Sequence, residues 1–350
     1  MPRDTYDLTP MRERADFVGI VGAPRCGTTS LAGFLQDHPG VCFSSVKEPH
    51  FFSRVDLGQV SDAALGPAVD DHYLARYFAH RGEGRLLAEG SVTYLYAPER
   101  MAPILRRWPN ARFVIALRDP LAMLPSLHQR LLCTGDETVA DFEAAWRLRC
   151  DRMHGLSIPP SCIDPRLLQY EQAARLGAHV EAFFRAVGPE RCFVALFDDL
   201  AARPAALYDE LLGFLGLPAH SRDDFAPRRA SRGVRSAWLQ RLLKRPPVAT
   251  RMVLAGEKYR QRIRKLDRPT RPPPWLRGVQ AVRKAVLRWN QAPAPASELP
   301  DDLRAEICRT LAPDIQRLSI LIDRDLGHWL DGAAQPPAAE PRAAALVEAS

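Results

Sequence analysis

Apolar positions along the chain fall into two kinds of pattern. Phe17-Val-Gly-Ile-Val-Gly22, Arg112-Phe-Val-Ile-Ala-Leu117 and Cys192-Phe-Val-Ala-Leu-Phe197 are short, nearly unbroken β-rich runs. Such runs suit strands buried on both faces of a parallel sheet. Between them the apolar residues recur at helical spacing. Thr28–Gln36 carries Leu31, Phe34 and Leu35 and is closed by His38-Pro39. Further helices are expected over Pro98–Trp108, Pro120–Leu132, a stretch ending at Val180–Ala186, and Leu207–Leu215 before Gly216-Leu-Pro218. Strands alternating with helices predict an α/β fold, a central parallel sheet flanked by helices. Beyond residue 226 the strand pattern fades. Short basic helices are interrupted by prolines, Trp238, Leu239, Leu242 and Leu243 read as packing positions, and a helical pair is expected at Asp301–Leu311 and Asp314–Ile322.

These patterns divide the chain into an N-terminal extension (1–16), an α/β core (17–226), a basic helical region with helices returning to the core (227–332) and an Ala/Pro/Glu-rich tail (333–350) expected to be disordered. Composition changes this picture little, with 46% apolar and 25% charged residues in 350, which excludes a mainly disordered chain. The first residues lack the apolar run of a signal peptide, and no run approaches the ~20 residues of a membrane span. The seven scattered cysteines form no CxxC pair and read as free thiols. A cytoplasmic location is the expectation.

Charge changes it more. Residues 228–288 hold 19 Lys and Arg against Glu257 and Asp267, a local +17 that leaves −10 for the rest of a +7 chain. That asymmetry suits an anionic membrane surface or an acidic carrier, with the protein peripheral at the membrane in the first case, or else only a solvated face. Nucleic acid is the least favoured partner, since no recognised binding motif accompanies the charge.

The first candidate site is Gly22-Ala-Pro-Arg-Cys-Gly27-Thr28-Thr29-Ser30, which follows a strand and opens a helix. Backbone N–H groups in that setting cradle anions. The GxxxxG spacing is that of a nucleotide-phosphate loop, but Thr28 stands where the kinase lysine belongs, and the cation is Arg25. The second strand ends in Arg118-Asp119, an arginine where an NTPase needs a carboxylate for magnesium. Two cationic anchors without an evident metal site suit a donor held by protein alone. Helix capping by Thr28, Thr29 and Ser30, and an internal pair of Arg118 with Asp119 or another acid, are the structural alternatives.

Ala23-Pro-Arg-Cys-Gly-Thr-Thr-Ser-Leu31 resembles the 5′-phosphosulfate loop of sulfotransferases that use 3′-phosphoadenosine-5′-phosphosulfate (PAPS). Arg118-Asp-Pro-Leu-Ala-Met-Leu-Pro-Ser126 is similar to their 3′-phosphate motif, and Lys47-Glu-Pro-His-Phe-Phe52 to a block of the heparan-sulfate-type and bacterial branches. Weaker similarity runs through Phe193–Pro218.

The resemblance implies a P-loop-like sulfotransferase fold and sulfuryl transfer from PAPS to a hydroxyl or amine. Adenosine 3′,5′-bisphosphate would be the product, and no metal would be needed. It implies that Arg25, Cys26, Gly27, Thr28, Thr29 and Ser30 hold the 5′ side of the donor and Arg118 and Ser126 the 3′-phosphate. Arg25 would also act on the transferring group. Glu48 becomes the general base, with His50 as rival, His128 as a more distant one, and Lys47 and His50 beside the acceptor.

Three positions depart from the family pattern: Arg25 replaces the usual lysine, Met123 an arginine, and Gly90 the lysine of heparan-type members. The acceptor stays open among small molecules, carbohydrates and lipids. A P-loop kinase or NTPase and a non-catalytic anion-binding protein are the alternatives.

Overall fold

The computed structural model describes residues 15–80, 85–226, 232–244, 274–293 and 299–331. Residues 1–14, the tail 333–350 and much of the basic segment 228–288 lie outside the described residues.

Five strands, β1 (Phe17–Gly22), β2 (Val41–Phe43), β3 (Leu86–Gly90), β4 (Arg112–Leu117) and β5 (Cys192–Leu196), form one sheet in the order β2-β3-β1-β4-β5. Every pairing is parallel. β1 and β4 are buried along their whole length, as their unbroken apolar runs require. β2 and β3 carry no comparable run. β2 is three residues long, and β3 ends Ala88-Glu89-Gly90, so sheet pairing rather than hydrophobic patterning defines them. All five carboxyl ends share one edge of the sheet. The chain leaves β1 towards β2 and crosses back over β1 to form β4, so the β1/β4 boundary is a topological switch point, where open α/β sheets bind ligands.

Helices α1 (Thr28–Asp37), α2 (Pro120–Thr134), α3 (Leu176–Val187) and α4 (Pro204–Leu215) fall close to their sequence expectations. The expected helix over Pro98–Trp108 is a short 3₁₀ turn, Pro98–Arg100, followed by a helix at Ala102–Arg107. In the basic region, α5 (Ala237–Lys244) and α6 (Pro274–Trp289) are joined through an antiparallel pair, β6 (Arg232–Val234) with β7 (Gln291–Pro293). The C-terminal helical pair is one helix, α7 (Asp301–Leu321), continuing through Pro313. Asp314 explains its docking. It accepts hydrogen bonds from Gly177 N (2.7 Å) and Ala178 N (2.9 Å) in the first turn of α3, satisfying donors that a helix start leaves over.

The packing role expected of Trp238 is corrected. Leu243 and Gln240 face inward, but Trp238 is 71% exposed. Helical spacing alone does not say which side of an amphipathic helix meets the core.

Candidate active site

The loop after β1 is shaped by two glycines. Gly22 has φ +154°, and a β-carbon there would lie 2.8 Å from Leu95 Cβ. Gly27 caps α1 in the left-handed region at φ 87°. Because Gly27 is the cap and no side chain caps the helix, Thr28, Thr29 and Ser30 are not spent on capping. Their hydroxyls make no hydrogen bond among the described residues, which leaves them available at the helix start. Ala23 N donates to Ala116 O at 2.6 Å, stitching the loop to β4. The Cys26 side chain is buried, and burial pushes its thiol pKa up to about 12. Only its backbone is suited to an anion.

Arg25, at φ 69°, turns towards the neighbouring strand end. Its Nε donates to Ser126 Oγ at 2.8 Å. Arg118 Nη1 lies 3.4 Å from Arg25 O, and its guanidinium stacks 4.2 Å from the Phe197 ring centroid. Two loops separate in sequence thus make one cationic wall. Burial depresses the Arg25 pKa, and the positive charges of Arg130 and Arg118 depress it further. Among the described residues no carboxylate pairs with Arg25, Arg118 or Arg130. The alternative of an internal Arg118–Asp119 pair is not realised. Asp119 instead caps α2, accepting from Leu121 N at 2.8 Å. Clustered cations without counter-charges are costly unless an anion meets them. Arg130 was not singled out in the sequence. It lies one turn beyond Ser126 on α2, so i,i+4 spacing was the available signal.

The second cluster sits at the ends of β2 and β3. Gly90 N donates to Lys47 O at 3.1 Å, resting the Lys47–His50 segment on the sheet edge. Buried Phe51 and Phe52 anchor its far side in the core. Lys47 Nζ lies 2.9 Å from Glu48 Oε1, and His50 Nε2 lies 3.8 Å from Glu48 Oε2. Burial works to raise the Glu48 pKa. The His50 imidazole and the Lys47 ammonium outweigh it and hold the carboxyl well below the usual range.

His50, in the left-handed region at φ 53°, is itself held: its N–H donates to Ser91 Oγ (2.9 Å) and Nδ1 bonds Thr93 Oγ1 (2.8 Å). Ser91 Oγ donates in turn to Glu89 Oε2 at 3.1 Å. Burial pushes the Glu89 pKa up to about 7, against nearby Tyr94, Ser91 and Tyr73 hydroxyls that lower it. Ser91 and Thr93 are positioning residues that the sequence reading missed; a Ser-x-Thr after a short strand carries no distinctive signal.

His128 does not join either cluster. Its Nε2 is 2.8 Å from Val139 O, and burial lowers its pKa. It is a packing histidine against Phe142 and Tyr170.

The profile of the sulfotransferase family matches residues 18–221, more than half of the chain. The chain belongs to the sulfotransferase family. Similarity to curated members is local. Carbohydrate sulfotransferase 15 of Mus musculus is 51% identical and that of Homo sapiens 30% identical, each over 31% of this chain and 26% of the relative. The matched part thus spans about a quarter of those relatives' length. A sulfotransferase structure from Alicyclobacillus acidocaldarius shares the fold at TM-score 0.57 and 23% identity, over 91% of this chain and 99% of that one. Family membership therefore covers the sheet, the loop after β1 and the Arg118–Ser126 helix start together.

Proposed function

We propose that this chain moves a sulfuryl group from PAPS to a hydroxyl of a carbohydrate acceptor. The observation that carries the donor half is the Arg25–Ser126 hydrogen bond at 2.8 Å, which joins the two anion-binding motifs into one wall free of carboxylate partners among the described residues. A doubly phosphorylated nucleotide fits such a wall. Gly27 to Ser30 would hold the 5′-phosphate with backbone and hydroxyl donors, and Arg118 and Ser126 the 3′-phosphate. Where family members have a second arginine, Met123 is fully buried. Arg130 would supply the missing cation. The carbohydrate half rests on the local similarity to carbohydrate sulfotransferase 15.

The chemistry follows from placement. The acceptor hydroxyl attacks sulfur in line, forming one S–O bond while the S–O bond to the 5′-phosphate breaks. Its proton passes to Glu48, kept ionised by Lys47 and His50. Arg25 neutralises the charge that grows on the leaving phosphate oxygen, releasing adenosine 3′,5′-bisphosphate. Lys47, resting against Gly90, would take the place of the cation that heparan-type members carry after the β3 glutamate.

The test is incubation of purified protein with labelled PAPS and a panel of oligosaccharides, phenols and lipids, with mass spectrometry of the products. Label should appear on a sugar with native protein and not with Glu48→Gln. Label transferred only to phenols or lipids would overturn the carbohydrate assignment, and no label on any acceptor would overturn the activity.

A further inference from the structure

Helices α5 and α6 are amphipathic, and both carry apolar residues beyond those they bury. Their inner side is accounted for: Gln240, Leu243, Leu287 and Asn290 are buried, and Gln240 Nε2 donates to Cys133 O at 2.7 Å, pinning α5 to α2. Away from that side, Trp238 (71%), Val282 (66%) and Trp289 (62%) lie exposed. On α6 the exposed Ala281, Val282, Ala285 and Trp289 recur at helical spacing, so they form a stripe, and Lys284 and Arg288 flank it.

The two tryptophans belong to one place. Asn290 Oδ1 accepts from Ser236 N at 2.9 Å and its Nδ2 donates to Ser236 O at 3.0 Å. This clamp ties the residue after Trp289 to a residue two before Trp238. Arg235, next to the clamp, holds its guanidinium 5.7 Å from the Trp289 ring centroid. Within 234–244 and 278–292 the sequence has no acid, and Arg235, Arg241, Lys284 and Arg288 are exposed.

We propose that this face docks on an anionic phospholipid surface, with Trp238 and Trp289 seated at headgroup level. Tryptophan ringed by arginine and lysine is the composition of interfacial helices, and the missing acids give charge complementarity to anionic headgroups. A polyanionic sugar would match the cations but leaves no role for Val282, Ala281 and Ala285. Among the described residues no helix is long and apolar enough to cross a membrane. The docking helix α5 is pinned to α2, the helix that bears Ser126. The donor-binding helix thereby sits one layer behind the membrane-facing surface.

The test is flotation of the full chain with vesicles of phosphatidylcholine alone or mixed equally with phosphatidylglycerol, with tryptophan quenching by brominated lipid. The protein should float only with the anionic vesicles and be quenched. Arg241→Gln with Lys284→Gln should weaken binding on the order of thirtyfold. Trp238→Ser with Trp289→Ser should abolish quenching, while sulfate transfer to a soluble acceptor stays unchanged. Three outcomes would overturn the proposal: no flotation, flotation indifferent to all four substitutions, or loss in the Trp variant of a concentration-dependent dimer or of heparin binding without any vesicle binding. Circular dichroism of each variant guards against unfolding.

Discussion

The Arg25 guanidinium reaches across 101 positions of chain to donate its Nε hydrogen to Ser126 Oγ at 2.8 Å. One residue comes from the loop after β1 and the other from the helix after β4, so the bond spans the switch point of the sheet. It holds the Arg25 guanidinium and the Ser126 hydroxyl in place, which removes ordering cost from binding.

Arg118→Ala should weaken donor binding about a hundredfold, since it removes a charge-assisted partner of the 3′-phosphate. Ser126→Ala should cost about tenfold, by freeing Arg25 as well as losing its own hydroxyl. Titration calorimetry with adenosine 3′,5′-bisphosphate reads both, and an unchanged affinity in Arg118→Ala would remove that residue from the site.

Glu48→Gln should stop turnover while leaving donor affinity near native. The pH dependence gives a sharper check. With its pKa held low, Glu48 stays ionised even below the usual carboxylate range, and the acid limb of the rate profile should lie unusually low. Lys47→Met removes one of the two groups holding it there, so the acid limb should move to higher pH. A limb that stays in place would show that another group limits the rate.

Glu89 should set a different pH response, in stability. Its folded pKa, about 7, is above the 4.5 of the free side chain, so the folded state holds a proton that the unfolded state releases. Stability should therefore fall as pH rises from about 4.5 to 7, by up to ~3 kcal/mol. Glu89→Gln keeps an acceptor for Ser91 and should flatten that slope in urea titrations. A slope that persists in the variant would place its origin elsewhere.

Gly22→Ala tests the loop's geometry. The new methyl meets Leu95 Cβ at 2.8 Å and Val92 O at 3.1 Å, and the φ of +154° is strained for alanine. Unfolding should cost at least ~2 kcal/mol less than in the native chain. Native-like stability on chemical denaturation would mean that the loop relaxes freely.

The parts of the fold legible in the sequence are those carried by continuous apolar runs or by glycines at fixed spacing. β1, β4 and β5 announce themselves as apolar runs, and the phosphate loop as a strand-to-helix turn with glycines at fixed spacing. β2 and β3 do not, because a three-residue strand and one ending in Glu89-Gly90 owe their form to neighbours far away in sequence. The same limit applies to the site. Glu48, Lys47 and His50 are close in the chain and were readable together. Arg130, Ser91 and Thr93 acquire their places only when β3 and α2 pack. The packing expected of Trp238 is not found, since periodicity marks an amphipathic helix without saying what lies on either side.

In the proposed mode of binding, one wall of paired arginines grips both ends of a 3′-phosphorylated nucleotide without metal. Calorimetry with adenosine 3′,5′-bisphosphate in excess chelator measures it directly. Tight binding should be seen, with ATP failing to compete and the double variant Arg25→Ala/Arg118→Ala showing none. Binding that requires magnesium, or that survives the loss of both arginines, would contradict it.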